Sequence, residues 1–468
     1  MDSMLSPESL LDIRLGSVVA PAGHGKTELI ARLAALGRRT LVLTHTHAGV
    51  HALRARIKRL GVDPKVAAVD TIASWSSRYT SSFPGGIRPS GRMPKGGEWT
   101  DIYKGGRRVL GNSAVRAVLE ASYDRILVDE YQDCDLYQHA LVKTLSNQLP
   151  TIVFGDRMQG IFNFSDSPSV SWDADVFPHF PLIGTLLEPM RWRSANVALG
   201  EWISEVRDKL ERGHPIDLTT GPITFFPCEN DYEVSPLFHD IDSAVGSIAA
   251  IHRYRKACDQ LAKSTGGYFQ AIEDIACKTL QEFAEVWDVA SGPSRVERLR
   301  DLVRLAICKK KLSEGELESE DDLRVSAAIQ SAYEGLKTTG DARHAVSAIE
   351  LIRKHSRART FRGELVRDSL KSLDNLANGR FESLSQSVFF VRQRISHGGR
   401  FLPKRTVSTP LLLKGLEFDR VIVPDANHFN SGRETGDRAK LFYVALSRAR
   451  YSLVVASSSP IVQFPIPT

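Results

Sequence analysis

The segment Ser17–Thr27 constrains the fold of this chain more than any other. It reads SVVAPAGHGKT, a short apolar run and a glycine-containing turn, with Gly-Lys-Thr opening a helical pattern. Strand, turn and helix in this order are typical of a phosphate-binding loop, whose backbone N–H groups and helix N-terminus surround phosphate oxygens. Ala20 stands where the usual motif has its first glycine, and a turn without a ligand is the alternative. The context predicts an α/β domain that binds a nucleotide.

The loop supplies candidate ligands for ATP and for Mg²⁺. We expect Lys26 to place its charge on the β- and γ-phosphates and Thr27 to offer its hydroxyl to the metal ion. The predicted nucleotide-binding positions in and next to the loop are Ala22, Gly23, His24, Gly25, Lys26, Thr27 and Glu28.

Two adjacent carboxylates follow a second apolar run, in RILVDEYQD. In a parallel sheet the end of this strand lies at the same edge as the phosphate-binding loop. Asp129 is therefore predicted to hold Mg²⁺, and Glu130 to accept a proton from the water that attacks the γ-phosphate. An acidic strand end can also be a helix N-cap, which is the alternative for this pair.

A third strand exit, VFGDRMQGIFNF, adds an amide and two aromatic rings. Gln159 can orient water or contact the γ-phosphate. Phe162 and Phe164 can stack on bases, although packing in a core is the alternative for both rings.

The rest of the chain has a recognisable organisation. Residues 76–108 are rich in Gly, Ser, Pro and basic side chains and look like a basic insertion or a long loop. Long amphipathic patterns from about 270 to 397 predict a largely helical region, and strand-like runs return after Gly399, as STPLLLKGLEFDRVIVP and YSLVVAS.

Composition narrows the partners and the compartment. The formal net charge is +6, which mildly favours a polyanionic partner such as nucleic acid. The five cysteines are scattered, without a CxxC pair, and this pattern indicates reduced thiols. Without an export signal or a long apolar stretch, we expect a cytoplasmic protein that does not use a membrane.

Eight motifs in order carry a family resemblance: APAGHGKT, LTHTHAGV, VDTIASW, ILVDEYQD, VFGDRMQGIF, LEPMRWRS, LLLKGLEFDRV and LFYVALSRAR. The series resembles that of superfamily 1 helicases of the UvrD, Rep and PcrA type. The resemblance implies two RecA-like parallel-sheet P-loop domains, with a short basic insertion in the first and a mostly helical insertion in the second. The implied limits are 1–75 and 121–198 for the first domain, 76–120 for its insertion, 199–269 and 398–468 for the second domain, and 270–397 for the helical insertion.

The resemblance also implies roles for individual residues. Arg193 and Arg448 match the two arginines that reach the γ-phosphate in the family. Trp192 matches the aromatic residue that stacks on adenine, and Glu417 matches the glutamate that contacts the ribose. The family's contacts to single-stranded DNA fall on His45, Thr71, Phe162 and Phe164.

Two departures from the family pattern concern the base. Ser9 stands where the family has an adenine-reading glutamine, and Glu28 stands where it has an arginine packed on adenine. The choice between ATP and GTP therefore stays open.

The sequence predicts an ATP-dependent translocase or helicase on single-stranded or partly duplex DNA, with 3′-to-5′ polarity implied by the resemblance. The alternative is an NTP-gated, DNA-sensing regulatory subunit that controls a partner nuclease, by analogy with Gabija-like phage-defence pairs. A small-molecule kinase is the weakest interpretation.

Overall fold

The structure is a computed structural model that describes residues 5–83, 97–161, 168–229, 232–242, 246–274, 277–314, 317–398, 402–431 and 438–467. Its strands are β1 (Leu15–Val19), β2 (Thr40–Thr44), β3 (Ala67–Thr71), β4 (Arg125–Val128), β5 (Thr151–Gly155), β6 (Leu182–Thr185), β7 (Ile216–Asp217), β8 (Thr224–Pro227), β9 (Ile248–Ile251), β10 (Gln270–Ala271), β11 (Ile307–Lys309), β12 (Ala358–Thr360), β13 (Arg405–Ser408), β14 (Phe418–Val423), β15 (Ala449–Ser457) and β16 (Ile461–Val462).

Its α-helices are α1 (Lys26–Leu36), α2 (His47–Arg59), α3 (Ile72–Ser82), α4 (Glu98–Leu110), α5 (Ser113–Ser122), α6 (Leu136–Ser146), α7 (Val197–Arg212), α8 (Ser235–Phe238), α9 (Arg255–Ser264), α10 (Lys278–Val289), α11 (Gly292–Ala306), α12 (Glu320–Thr339), α13 (Ala342–Lys354), α14 (Gly363–Ala377), α15 (Leu384–Gly398), α16 (Pro410–Leu413) and α17 (Arg438–Leu446).

The chain forms two compact units. Unit 1 contains residues 1–222, 430–451 and 461–468, and unit 2 contains residues 223–429 and 452–460. The C-terminal segment that carries α17 therefore belongs to unit 1, although the family resemblance implies a place for it in the second domain. The implied domain limits stay a prediction.

Unit 1 contains a six-stranded sheet in the order β3-β2-β4-β5-β1-β6, with parallel pairing throughout. Strands β2, β4 and β5 are fully buried runs, the pattern expected when helices cover both faces of a parallel sheet. Because the strands are parallel, the segments that follow β1, β4 and β5 meet at one edge. The predicted α/β class is confirmed here.

Helices cover both faces of this sheet. One core lies under α1 and α2 and includes Ile30, Leu33 and Leu53. The other lies under helices α3 to α6 and includes Trp75 and Tyr103. The alternative of a long loop over 76–108 is wrong in the described residues, because α3 continues to Ser82 and α4 begins at Glu98. Helix α4 buries Ile102, Tyr103 and Val109, because its apolar residues recur at helical spacing among the basic ones. That this segment is an insertion stays a prediction.

The second six-stranded sheet, in the order β10-β13-β9-β14-β15-β8, lies in unit 2 apart from the first three residues of β15. The pairs β10–β13, β13–β9, β9–β14 and β15–β8 are parallel, which confirms a second parallel-sheet domain. The strand-like run after Gly399 divides into β13, the short helix α16 and β14. The apolar letters of Pro410–Leu413 are misleading because proline at the first position favours a helical turn.

Helices α10 to α15 follow β10 in the chain and share their own core. Its large members include Phe283, Trp287, Tyr333 and Ile349. The paired strands β11 and β12 join this region as an antiparallel ladder. The predicted helical character of 270–397 is confirmed in the described residues, apart from these two short strands and β10 at its start. No helix within the described ranges has the length and apolar character needed to cross a membrane.

Candidate nucleotide-binding site

The phosphate-binding loop connects β1 to α1 in unit 1. Gly23 and Gly25 have φ angles of +76° and +84°, a region that glycine enters without strain. Left-handed residues in such a turn direct backbone N–H groups into a concave, anion-binding surface. Gly25 is also the N-cap of α1, so the helix N-terminus begins directly at the loop. This geometry fits the phosphate-binding role that the sequence predicts.

Lys26 lies between the two acidic residues that follow β4. Its Nζ is 2.6 Å from Oδ1 of Asp129 and 2.5 Å from Oε1 of Glu130. Burial by itself lowers the pKa of this ammonium group, but the two carboxylates outweigh burial and raise the pKa above its usual range. The lysine therefore stays charged. The structure brings together three residues that the sequence places in two separate motifs.

Glu130 has an unusual backbone. Its φ and ψ are 55° and 40°, the left-handed region that non-glycine residues seldom occupy. Its side chain also accepts a hydrogen bond from the Gln132 amide, and Oε1 of Gln132 accepts one from the backbone N–H of Asp156 at 3.0 Å. Strained residues of this kind cluster at functional sites. The backbone of Glu130 therefore strengthens the case for a catalytic role beyond what its sequence motif indicates.

Asp156 is the centre of a buried network after β5. Its carboxylate accepts hydrogen bonds from Nη2 of Arg207 at 2.9 Å, from Nε2 of Gln159 at 3.0 Å and from the N–H of Met158 at 3.1 Å. Asp156 is fully buried and Gln159 nearly so. The side-chain amide of Gln159, the predicted γ-phosphate sensor, is thus held by the carboxylate of Asp156 at the sheet edge where the phosphate-binding loop lies.

Two members of this network escaped sequence reasoning. Asp156 follows an apolar strand just as Asp129 does, and that shared position is a signal that could have identified it. Arg207 comes from α7, 51 residues further along, and nothing in the local sequence marks it. Tyr443 was also missed. Its hydroxyl accepts a hydrogen bond from the loop N–H of Ala22 at 2.9 Å.

The three residues matched to base and γ-phosphate contacts all lie in unit 1, in different environments. Trp192 is fully buried, and its Nε1 donates to the carbonyl oxygen of Ala449 at 2.7 Å. Arg448 is 2% exposed and donates to the carbonyl of Val444 and the hydroxyl of Ser447. Arg193 is largely exposed beside Glu188. Trp192 and Arg448 are buried, so contact with a nucleotide requires that these side chains become accessible, and their roles stay predictions.

Other predicted residues have structural partners. His24 is buried in the loop with Nδ1 2.9 Å from the carbonyl of Ala22, and burial lowers the pKa of its ring. Glu28 forms ion pairs with Arg32 at 2.6 Å and Arg56 at 2.9 Å. Glu417, in unit 2, is exposed just before β14.

The predicted DNA contacts are only partly within the described residues. Thr71 is the last residue of β3 and pairs with Thr44, the last residue of β2, and His45 follows Thr44 directly. Nε2 of His45 is 3.4 Å from Sγ of Cys134. Thr71 is buried and caps α3 by accepting from the N–H of Ser74 at 3.0 Å. Phe162 and Phe164 lie outside the described residues.

The donor set at the loop suits a hard cation. Thr27 sits in the first turn of α1 and Asp129 follows β4, so a hydroxyl and a carboxylate are available, as Mg²⁺ prefers alongside phosphate oxygens. Across the described ranges, no group of three or more His, Cys, Asp or Glu side chains could hold a metal ion. The residues present thus fit Mg²⁺ bound together with a nucleotide, and offer no cage built from protein alone.

Residues 99–169 match the family of the UvrD/REP helicase N-terminal domain. The matched segment contains Asp129, Glu130 and Gln159, and the predicted resemblance is confirmed over this range. One component of an ATP-dependent helicase/nuclease from Streptococcus uberis is 38% identical over 68 residues, which is 14% of this chain and 6% of that protein. The chain thus matches a small fraction of the length of that relative.

Two solved helicase structures align with most of the chain at low similarity. The Pif1 helicase from Bacteroides, in complex with ADP-AlF3 and ssDNA, has a TM-score of 0.40 and 12% identity, covering 98% of this chain and 94% of that one. The Pif1 helicase from Candida albicans has a TM-score of 0.39 and 11% identity, covering 96% and 93%.

Proposed function

We propose that this protein is a DNA-dependent ATPase that moves along single-stranded DNA or unwinds partly duplex DNA, with 3′-to-5′ polarity taken from the family resemblance. The observation that carries the proposal is the position of Lys26. It holds a buried positive charge at the mouth of a phosphate-binding loop, between two carboxylates. From this position Lys26 would contact the β- and γ-phosphates of a bound nucleoside triphosphate.

The roles of the residues follow from their positions. The loop amides and Lys26 bind the phosphates, and Thr27 and Asp129 would hold Mg²⁺, which would neutralise charge on the phosphate oxygens. Glu130 accepts the proton of the attacking water, and Gln159 orients that water from its place on Asp156.

Residues matched through the family complete the proposal. Arg193 and Arg448 stabilise charge on the γ-phosphate, while Trp192 and Glu417 contact adenine and ribose. Single-stranded DNA passes His45 and Thr71 at the neighbouring strand ends, together with Phe162 and Phe164.

The test is NTP hydrolysis by the purified protein with and without single-stranded DNA, using ATP and GTP. Lys26→Ala removes the loop charge, and Lys58→Ala removes an exposed lysine on α2 as the matched control. We expect stimulation by DNA that is lost in the first variant and kept in the second. A folded wild-type preparation without any NTP hydrolysis would contradict the proposal.

A second function, an NTP-gated regulatory subunit that works with a partner nuclease, is favoured by one observation. Trp192 and Arg448 are buried, so nucleotide contact needs a rearrangement that exposes them and that could serve as a switch. Hydrolysis that does not respond to DNA, with no unwinding of a partly duplex substrate, would support this second function over the first.

A further inference from the structure

The hydroxyl of Tyr443 contacts the phosphate-binding loop from the far end of the chain. The N–H of Ala22 donates to its oxygen at 2.9 Å, across 421 positions of sequence. Both partners are buried, with Tyr443 1% and Ala22 4% exposed. Both belong to unit 1. A buried backbone N–H needs a partner, and a side chain provides this one.

The surroundings of Tyr443 keep it a neutral phenol. Burial raises the pKa of its hydroxyl above the usual range, and the negative charge of Asp156 adds to the effect. The positive charge of Arg207, the ion-pair partner of Asp156, acts in the opposite direction. Tyr443 therefore lies beside the network that fixes Gln159, as well as on the loop.

The same C-terminal segment contacts the loop region again beyond α17. Arg191 donates through its guanidinium to the carbonyl of Ser447, and its backbone N–H donates to the carbonyl of Gly23 at 2.8 Å. Trp192 lies against Gly23 and donates to Ala449. The loop is thus held at Ala22 directly and at Gly23 through residues 191–192.

We propose that Tyr443 is a positioning residue for nucleotide binding. Its hydroxyl holds the loop in the conformation that receives phosphate, and it links that conformation to the Asp156–Gln159 pair. The inference rests on the proposed function, because it assumes that the loop binds a nucleotide. It adds a residue outside the loop and outside the acidic motif, whose action goes through the Ala22 amide.

The test compares Tyr443→Phe with wild type for binding of a fluorescent ADP analogue with Mg²⁺ and for steady-state ATP hydrolysis. Without the hydroxyl oxygen as acceptor, the loop can leave the conformation that binds phosphate. The apparent affinity for nucleotide then falls in proportion to the fraction of molecules whose loop keeps that conformation. For a typical buried hydrogen bond, this is about tenfold. We expect Kd and KM to rise by that factor and kcat at saturating ATP to change by less than about twofold.

The matched control is Tyr103→Phe. Tyr103 is buried in the same unit, and its hydroxyl accepts from Nε2 of Gln138 at 2.9 Å, away from the loop. Both variants lose one buried hydrogen bond, so both lower the melting temperature. Weakened nucleotide binding in Tyr443→Phe alone supports the inference. Equal binding by wild type and Tyr443→Phe overturns it.

Failure of the proposed function can be distinguished from failure of this inference, because the wild-type protein would then bind no nucleotide at all. If Tyr443→Phe does not fold, amide hydrogen exchange of residues 20–27 in the wild type decides. Protection of this peptide before nucleotide is added supports a loop held from outside. Exchange at the rate of an unstructured chain overturns it.

Discussion

Replacing Asp156 by asparagine removes the charge at the centre of the buried network but keeps the side-chain volume. Asp156 accepts from Arg207, Gln159 and Met158, and its side chain is fully buried. An asparagine there has one oxygen and one NH₂ group, so at least one donor now faces another donor. The buried guanidinium also loses its nearest counter-charge.

The expected destabilisation follows from the burial of Arg207. Its side chain is 9% exposed, and breaking such a buried pair costs about 3–5 kcal/mol. Glu211 and Asp208 remain near Nη1 at 3.2 and 3.4 Å, but as partly exposed partners each returns at most about 1 kcal/mol. We therefore expect Asp156→Asn to lower the free energy of unfolding by about 3 kcal/mol.

Urea unfolding followed by tryptophan fluorescence measures this change. Five of the six tryptophans lie in unit 1, so the signal reports chiefly on the unit that contains the network. Glu211→Gln removes a more exposed partner of the same arginine and is expected to cost under about 1 kcal/mol. A loss below about 1 kcal/mol for Asp156→Asn, or one equal to that of Glu211→Gln, would refute the reasoning.

Three further outcomes are expected. Gly23→Ala places a Cβ 2.6 Å from the ring of Trp192 at a φ of +76°. A thermal melt should therefore show a loss of about 1–3 kcal/mol in the free energy of unfolding. Titration with the fluorescent ADP analogue should show a lower affinity for nucleotide. Burial lowers the pKa of His139, whose Nδ1 is 2.8 Å from the hydroxyl of Tyr131, to about 4. The unfolded state then takes up a proton first, so stability should fall between pH 6.5 and 4, and His139→Gln should flatten that slope in urea titrations. Thr71→Ala removes a helix cap worth about 1 kcal/mol, and Thr71→Ser keeps this cap. If Thr71→Ala binds a single-stranded oligonucleotide as tightly as wild type, a DNA-binding role for Thr71 is contradicted.

Much of unit 1 could be predicted because its signals are local. The apolar run in RILVDEYQD is β4, and the strand whose exit is VFGDRMQGIFNF is β5, since central parallel strands are continuous apolar runs. The meeting of Lys26 with Asp129 also followed from sequence, because parallel strands end at one edge. These predictions needed only strand positions and their order.

The errors share a physical cause. Composition indicates a loop over residues 98–108, yet a helix with basic residues on one side and buried Ile102 on the other is compatible with that composition. Pro410–Leu413 resembles a strand because four apolar letters carry no period of their own. The secondary structure of a segment that is short, or that mixes apolar and basic residues, depends on what packs against it.

Long-range partners could not be predicted. Arg207 meets Asp156 across 51 residues, and Tyr443 meets Ala22 across 421. The residues between them fold into independent helices and strands, and no spacing rule relates the ends. Knowing that α17 packs in unit 1 is what turns an ordinary helix tyrosine into a loop contact.

Residues that reduce the stability of the fold indicate the nucleotide-binding site better than membership of a sequence motif does. Thr71 belongs to a motif, yet its contacts are those of an ordinary helix cap, which stability alone explains. Glu130 occupies a left-handed conformation that costs a non-glycine residue about 1–3 kcal/mol. Its carboxylate also shares one buried lysine with a second carboxylate. Glycine at 130 would relieve the backbone strain but would also remove the ion pair with Lys26. The left-handed backbone is the feature that this ion pair does not explain. The proposed role of Glu130 as the base for the attacking water would account for this strain, and this is why the hydrolysis assay should precede any test of DNA movement.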